Sequence, residues 1–169
     1  MELIKIDSPS GEEDAMDAEV SARLESMGLK VSHDTYNNVI AKLPGEGPPI
    51  MLSAHLDTVE PGRGIKPIVD GGVVRSDGST ILGGDCKAGV AIVLEGLAAA
   101  NESNGGGNRA IEVVFTRHEE GGLVGVHHLD FSLLSAKEGV IFDGEGPANR
   151  ITVAAPSQNV VTAHIKGLS

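Results

Sequence analysis

The sequence predicts an α/β domain built on a mainly parallel, twisted sheet flanked by helices. Three observations predict it. A short, continuous apolar run, "IMLSA" (Ile50 to Ala54), has the length and composition of a buried strand, and "AIEVVFTR" (Ala110 to Arg117) reads as a second one. Between them lies "KAGVAIVLEGLAAA" (Lys87 to Ala100), a run of helical length whose apolar positions suit a sheet-facing helix. A further apolar run, "EGVIFD" (Glu138 to Asp143), follows. Strand, helix, strand at these lengths is a βαβ unit, which makes the strands parallel and puts helices on both faces.

The elements follow in order. "SPSGEEDAMDAEVSARLESMG" reads as a helix: Ser10 and Glu13 stand at capping-box spacing, Met16, Val20, Leu24 and Met27 form a stripe, and Gly28 suits the stop. Two strands are expected near Lys30 to His33 and Val39 to Leu43. The Gly/Pro-rich "PGEGPP" then punctuates the chain before the strand Ile50 to Ala54. Residues 61–83 are rich in glycine and turns, with a hairpin expected around "IVDGGVVRSDG". The helix from Lys87 gives way to a surface loop, "NESNGGGN", then to the strand Ala110 to Arg117 and to a third buried strand over Glu138 to Asp143. The last stretch, "NVVTAHIKGLS", reads as the start of a new strand, and there is no internal repeat.

A chain of 169 residues is one ordinary domain, long enough to bury a core. With 40% hydrophobic residues but only 2% aromatic and no Trp, that core is built from Val, Ile, Leu and Ala. The net charge of −11 argues against nucleic acid or an anionic membrane as partner, since both need positive charge. A single cysteine forms no internal disulfide, which fits a reducing compartment. The charged start, "MELIKIDSPSGEE", offers no signal-peptide segment, and the most apolar run, Val90 to Ala100, is too short to span a bilayer and carries Glu95. A cytoplasmic location is expected.

The polar residues collect at strand ends. His55 and Asp57 follow the strand ending at Ala54; His118, Glu119 and Glu120 follow the strand ending at Arg117; Asp143 follows the third strand; Asp85 opens the helix after "LGG". In an open parallel sheet, ligands bind at the carboxyl ends of strands. Singly these signals are weak: a lone His-x-Asp is more often a satisfied histidine, a Glu-Glu pair a solvated face, and a Gly-Gly-Asp a turn. Jointly, five carboxylates at one rim repel one another unless protonated or neutralised. Two divalent cations would supply the missing charge, and imidazole plus carboxylates suits Zn²⁺, with Mn²⁺ and Co²⁺ as alternatives. Asp57 could take the second ring N–H of His55 and fix its tautomer. Glu119 and Glu120 could divide the roles of base and ligand.

Four stretches, "SAHLDTVEPGRGIKP", "SDGSTILGGDCKAGVAIVLEGL", "VVFTRHEEGGLVG" and "FDGEGPANRITVAAPSQ", resemble the peptidase T-like group of the zinc metallopeptidase family that includes peptidase T, glutamate carboxypeptidase and acetylornithine deacetylase. The resemblance runs over essentially the whole chain. It implies a three-layer zinc-exopeptidase-like catalytic domain, with residues 1–157 its N-terminal part and 158–169 the start of a truncated lid or dimerisation domain. It implies two-metal hydrolysis of short peptides, aminopeptidase- or tripeptidase-like, with His55 and Asp143 on one metal, Asp85 bridging, Glu120 on the other, Glu119 as general base and Asp57 orienting His55. A homodimeric full-length parent is compatible with it. The alternatives are an amide deacylase of the same family, or a non-catalytic fragment that keeps one metal or only the scaffold.

The single cysteine, Cys86, stands where the family commonly has Asp or Asn, and the resemblance implies a cis Asp85–Cys86 peptide bond. As a nucleophile Cys86 would need a histidine base, and His55, the obvious candidate, already serves a metal. Asp85, not Cys86, is therefore expected to be the reactive position. His118 is expected near the rim in a structural role; His127 and His128 make no paired ligand; His33 and His164 are incidental. In the family a returning segment after an inserted domain supplies a last histidine ligand. The 169 residues stop where that insertion would begin, so the fragment alone is expected to be inactive.

Overall fold

The computed structural model describes residues 1–102, 109–147, 149–155, 157 and 161–167. After a 3₁₀ turn at Leu3–Lys5 come α1 (Asp14–Ser26), β1 (Lys30–His33), β2 (Val39–Leu43), β3 (Glu46–His55), β4 (Pro67–Asp70), β5 (Val73–Ser76), α2 (Gly84–Glu102), β6 (Arg109–Thr116), α3 (Val124–His127) and β7 (Gly139–Ile141). A second 3₁₀ turn, Phe131–Leu133, lies between α3 and β7. The main sheet has the order β1-β2-β6-β3-β7. Strands β6, β3 and β7 are parallel, as expected of a βαβ unit, while β1 and β2 extend the sheet antiparallel on one side.

Alternation along the strands builds the layers. Val113 and Phe115 of β6, Val39 and Ala41 of β2 and Ala54 of β3 face α1 and α2, where Met16, Val20, Leu24, Val90, Val93, Leu94 and Leu97 pack against them. On the opposite face Ile40 and Val114 pack under Leu129, with Val126, Leu133 and Leu134 alongside. Each of these Val, Leu, Ile, Met and Phe side chains, fully buried, contributes about 1.5–3 kcal/mol. The absence of tryptophan is thus met by many small aliphatic contacts. The hairpin β4–β5 turns on Gly71 and Gly72, whose φ of 56° and 82° both require the left-handed region of a two-residue turn.

Strand β3 lies between β6 and β7, and this order assembles the site. His55 is level with Thr116 of β6, and Ser53 is level with Ile141 of β7. Two residues beyond Ile141, Asp143 therefore comes level with His55, and Glu119 follows β6 on the other flank.

Several expectations are corrected. Ser10 and Glu13 form no capping box: α1 starts at Asp14 with no side-chain cap, because both side chains bond to distant parts of the site. Strand β3 begins at Glu46 rather than Ile50, running through the Gly-Pro-Pro with a register shift before Ile50. Strand β7 is not buried; Val140 and Ile141 are 43% and 66% exposed, since it pairs only with β3 at the sheet edge. Of the strand expected over 159–169, residues 161–167 form none, with Val161 and Ile165 exposed, and 159, 160, 168 and 169 lie outside the described residues. Of the loop expected over 101–108, Asn101 and Glu102 end α2 and the remainder lies outside the described residues. No helix among the described residues is long and apolar enough to cross a membrane.

Candidate metal centre

Strand β3 delivers His55 to the rim with its side chain 2% exposed. Its Nε2 lies 3.0 Å from Asp85 Oδ1, 3.5 Å from Asp143 Oδ1 and 3.9 Å from Glu119 Oε2. One imidazole nitrogen is thus ringed by carboxylates from the start of α2, the end of β7 and the end of β6. The ring's other nitrogen, Nδ1, is 3.3 Å from Asp57 Oδ1 but outside hydrogen-bond geometry, and it has no other partner.

Asp57 is fully buried and serves as the clamp beneath the rim. Its Oδ2 accepts from Ser10 Oγ at 2.6 Å and from Glu120 N–H at 3.1 Å, and its Oδ1 accepts from Glu119 N–H at 2.8 Å. Burial would raise its pKa, but His55, Ser10 and the two amides hold it down to about 2. A permanent anion therefore fixes the backbone of Glu119 and Glu120.

The glycine-rich turn delivers Asp85. Its backbone and that of Cys86 are non-helical, their peptide bond is cis as expected, and regular helix follows. The Cys86 thiol is buried and donates to Phe142 O at 2.8 Å. Burial, with the carboxylates of Asp143 and Asp85 nearby, pushes its pKa up to about 11, the opposite of an activated thiol.

The electrostatics match a site that wants positive charge. Burial favours neutral His55, yet Asp143 and Asp57 outweigh it and raise the imidazole to about 11. Burial raises Asp85, and repulsion from Asp143 adds to it; Asp143, held down first by His55, stays ionised. Glu119 is raised by burial and by Asp143 and Glu120, and Glu120 by burial and Asp85. Like charges this close leave some carboxylates easier to protonate than in water. The donor atoms of His55, Asp85, Cys86 and Asp143 lie within 4.8 Å of one another, as do those of His55, Glu119 and Glu120.

All six residues expected at the rim, His55, Asp57, Asp85, Glu119, Glu120 and Asp143, stand at this end of the sheet. The other histidines stand apart. His118 donates its backbone N–H to Glu13 and lies 3.4 Å from Tyr36 Oη; His128 stacks on Tyr36; His33 pairs with Asp17 on the surface. Local reading missed the supports. Glu13, 1% exposed, accepts from Gly11 N–H, His118 N–H and the Arg117 guanidinium, tying the segment before α1 to the residues beside Glu119. Lys87, on α2 behind Asp85, is buried and bonds to the Ile6 carbonyl; burial lowers its pKa to about 8.

A cavity of about 420 Å³ opens beside Glu120, lined by Ser10, Thr58, Val59 and Arg63 among others.

The family model for peptidase family M28 matches residues 38–150, a span that includes every rim residue. The chain belongs to peptidase family M28. This M28-family chain is 37% identical over 177 residues to the uncharacterized protein YqjE of Bacillus subtilis, an alignment covering 99% of the chain and 47% of YqjE. Its fold matches a tripeptidase of Staphylococcus aureus with a TM-score of 0.82 at 36% identity, over 86% of this chain and 42% of the other. It matches aminopeptidase PepT of Bacillus cereus with a TM-score of 0.81 at 36% identity and the same coverage. The M28-family chain spans about half the length of these relatives. The peptidase T-like resemblance and the α/β fold read from the sequence both hold.

Proposed function

We propose that the rim forms a two-ion hydrolytic centre for peptide bonds in short peptides, aminopeptidase- or tripeptidase-like. The observation that carries this is the ring of Asp85, Asp143 and Glu119 around a single buried nitrogen, His55 Nε2. The donor set fits divalent cations: one imidazole and several carboxylates, close enough to share an ion, suit Zn²⁺ first and Mn²⁺ or Co²⁺ next. His55 and Asp143 would hold one ion, Glu120 the other, with Asp85 between them. Ions bound there would supply Lewis acidity and would make water more acidic.

The remaining work falls to side chains. Asp57, 3.3 Å from His55 Nδ1, would take that ring N–H once an ion holds Nε2, and through its two amide bonds it sets the backbone direction of Glu119 and Glu120. Glu119 takes a proton from the attacking water and returns it to the leaving amine. Its raised pKa brings it nearer to neutrality, where a general base works best. Cys86 takes no proton, since its thiol is buried and bonded to a carbonyl.

With His55 on the first ion, the second has Glu120 and the shared Asp85 as protein ligands, fewer than the usual three or four. The first ion is therefore expected to bind tightly and the second weakly, and the 169 residues alone to turn over peptide slowly or not at all. Equilibrium dialysis against Zn²⁺ with metal analysis tests this. Tight uptake of one ion, with a second at higher concentration and loss of both in Asp85→Asn, is the expected result. A chain that takes up no ion contradicts the reading and leaves a scaffold; one ion that survives Asp85→Asn contradicts the bridging role.

A further inference from the structure

Phe142 joins the end of β7 to Asp143, and its carbonyl is held from one side by α2. The space that a side chain at Gly89 would occupy is filled by that carbonyl: a Cβ there would lie 2.0 Å from Phe142 O and 2.8 Å from Cys86 Sγ. Cys86, one turn earlier on the same helix, donates its thiol hydrogen to the same oxygen at 2.8 Å. From the other side the Phe142 N–H donates to Ser53 O of β3, also at 2.8 Å. Strand β7 itself has three exposed residues and one ladder partner, a weak anchor for a residue that must meet His55 within ångströms.

We propose that Cys86 and Gly89 form a socket for the Phe142 carbonyl, and that this socket positions Asp143 against His55 and Asp85. Cys86 is then a positioning residue, acting on the site through Phe142; the inference rests on the metal reading above for its consequence, but not for its geometry. In this chain three properties meet there. Residue 89 lacks a side chain, residue 86 donates a hydrogen bond, and it brings no charge that competes with Asp85 and Asp143. A thiol meets the last two. Serine keeps the donor with a shorter reach, whereas alanine leaves the carbonyl without its partner.

The test compares wild type, Cys86→Ala and Cys86→Ser by two readouts. Hydrogen exchange of the Phe142 amide in metal-free protein reports the socket directly. Zn²⁺ affinity, measured by competition with a chromophoric chelator, reports its consequence. Cys86→Ala is expected to speed Phe142 exchange without changing the amides of β6, and to weaken Zn²⁺ binding by about tenfold, as loss of an outer support does. Cys86→Ser is expected to stay with wild type in both. Wild-type behaviour of Cys86→Ala, failure of Cys86→Ser to rescue, or faster exchange spread evenly over the sheet would each overturn the socket. Should wild type take up no Zn²⁺, the metal reading falls, while the exchange comparison still decides the positioning.

Discussion

Replacing Glu112 by Gln removes one charge from the interior of β6 and keeps the side chain's shape. Glu112 is 3% exposed. Its carboxylate accepts from Ser135 N–H, Ser135 Oγ and Ala136 N–H, with Lys42 Nζ at 3.0 Å. Burial would raise its pKa, but those donors outweigh burial and hold it at about 2, against 4.5 for a free glutamate. At 1.36 kcal/mol per tenfold, the difference is worth roughly 3 kcal/mol of folding stability. Lys42 is half exposed, so its share is at most about 1 kcal/mol; the amides and hydroxyl supply the rest. Because the folded pKa is depressed, this stability is complete above pH 4.5 and is lost as pH falls toward 2. Glu112→Gln also sets an amide N–H against a ring of donors. Urea unfolding at neutral pH should place the variant roughly 3 kcal/mol below wild type, with the gap closing through the acid range. Equal midpoints at neutral pH, or a gap unchanged near pH 2, would refute the reasoning. The position matters to the site because residues 135 and 136 lead the chain into β7 and on to Asp143.

Glu13→Ala removes the buried partner of Arg117 and the acceptor of two backbone N–H groups, those of Gly11 and His118; Arg117 keeps Asp14 at 2.6 Å, so the loss should fall near the low end of about 3–5 kcal/mol in urea melts. Gly125→Ala sets a Cβ 2.0 Å from Arg117 O and 2.8 Å from Asn38 Oδ1, and overpacking of that kind should cost about 1–3 kcal/mol, seen as a lower thermal midpoint. In Zn²⁺ titrations Glu119→Gln should retain both binding events, as expected of a base, whereas Glu120→Gln should lose the weaker one.

Strands β3 and β6 were legible because they are central and mostly apolar, with cores packed on both faces of the sheet, which leaves a sequence signal that needs no partner to be seen. The rim was legible for a related reason: all of its residues except Asp85, which opens α2, fall within a few positions of a strand end, so locating the strands located most of the rim. What escaped is non-local. Ser10 and Glu13 carry capping-box spacing, yet their partners are Asp57 and Arg117, 47 and 104 residues away. Buried anions there outbid a helix end that water can satisfy. Cys86 and Phe142 are 56 residues apart, and no spacing rule predicts that a glycine on a helix will admit that carbonyl. Lys87 looks like an ordinary polar helix position and is in fact buried, held by the Ile6 carbonyl. Strand β7 failed in the other direction: its composition is that of a core strand, but its place at the edge leaves it exposed.

The most direct measurement is anomalous scattering from crystals grown with Zn²⁺. A strong peak bonded to His55 Nε2, Asp143 and Asp85, with a weaker one between Asp85 and Glu120, is the predicted result. Saturating Zn²⁺ that leaves this rim without a peak, or that binds elsewhere on the chain instead, would contradict the account.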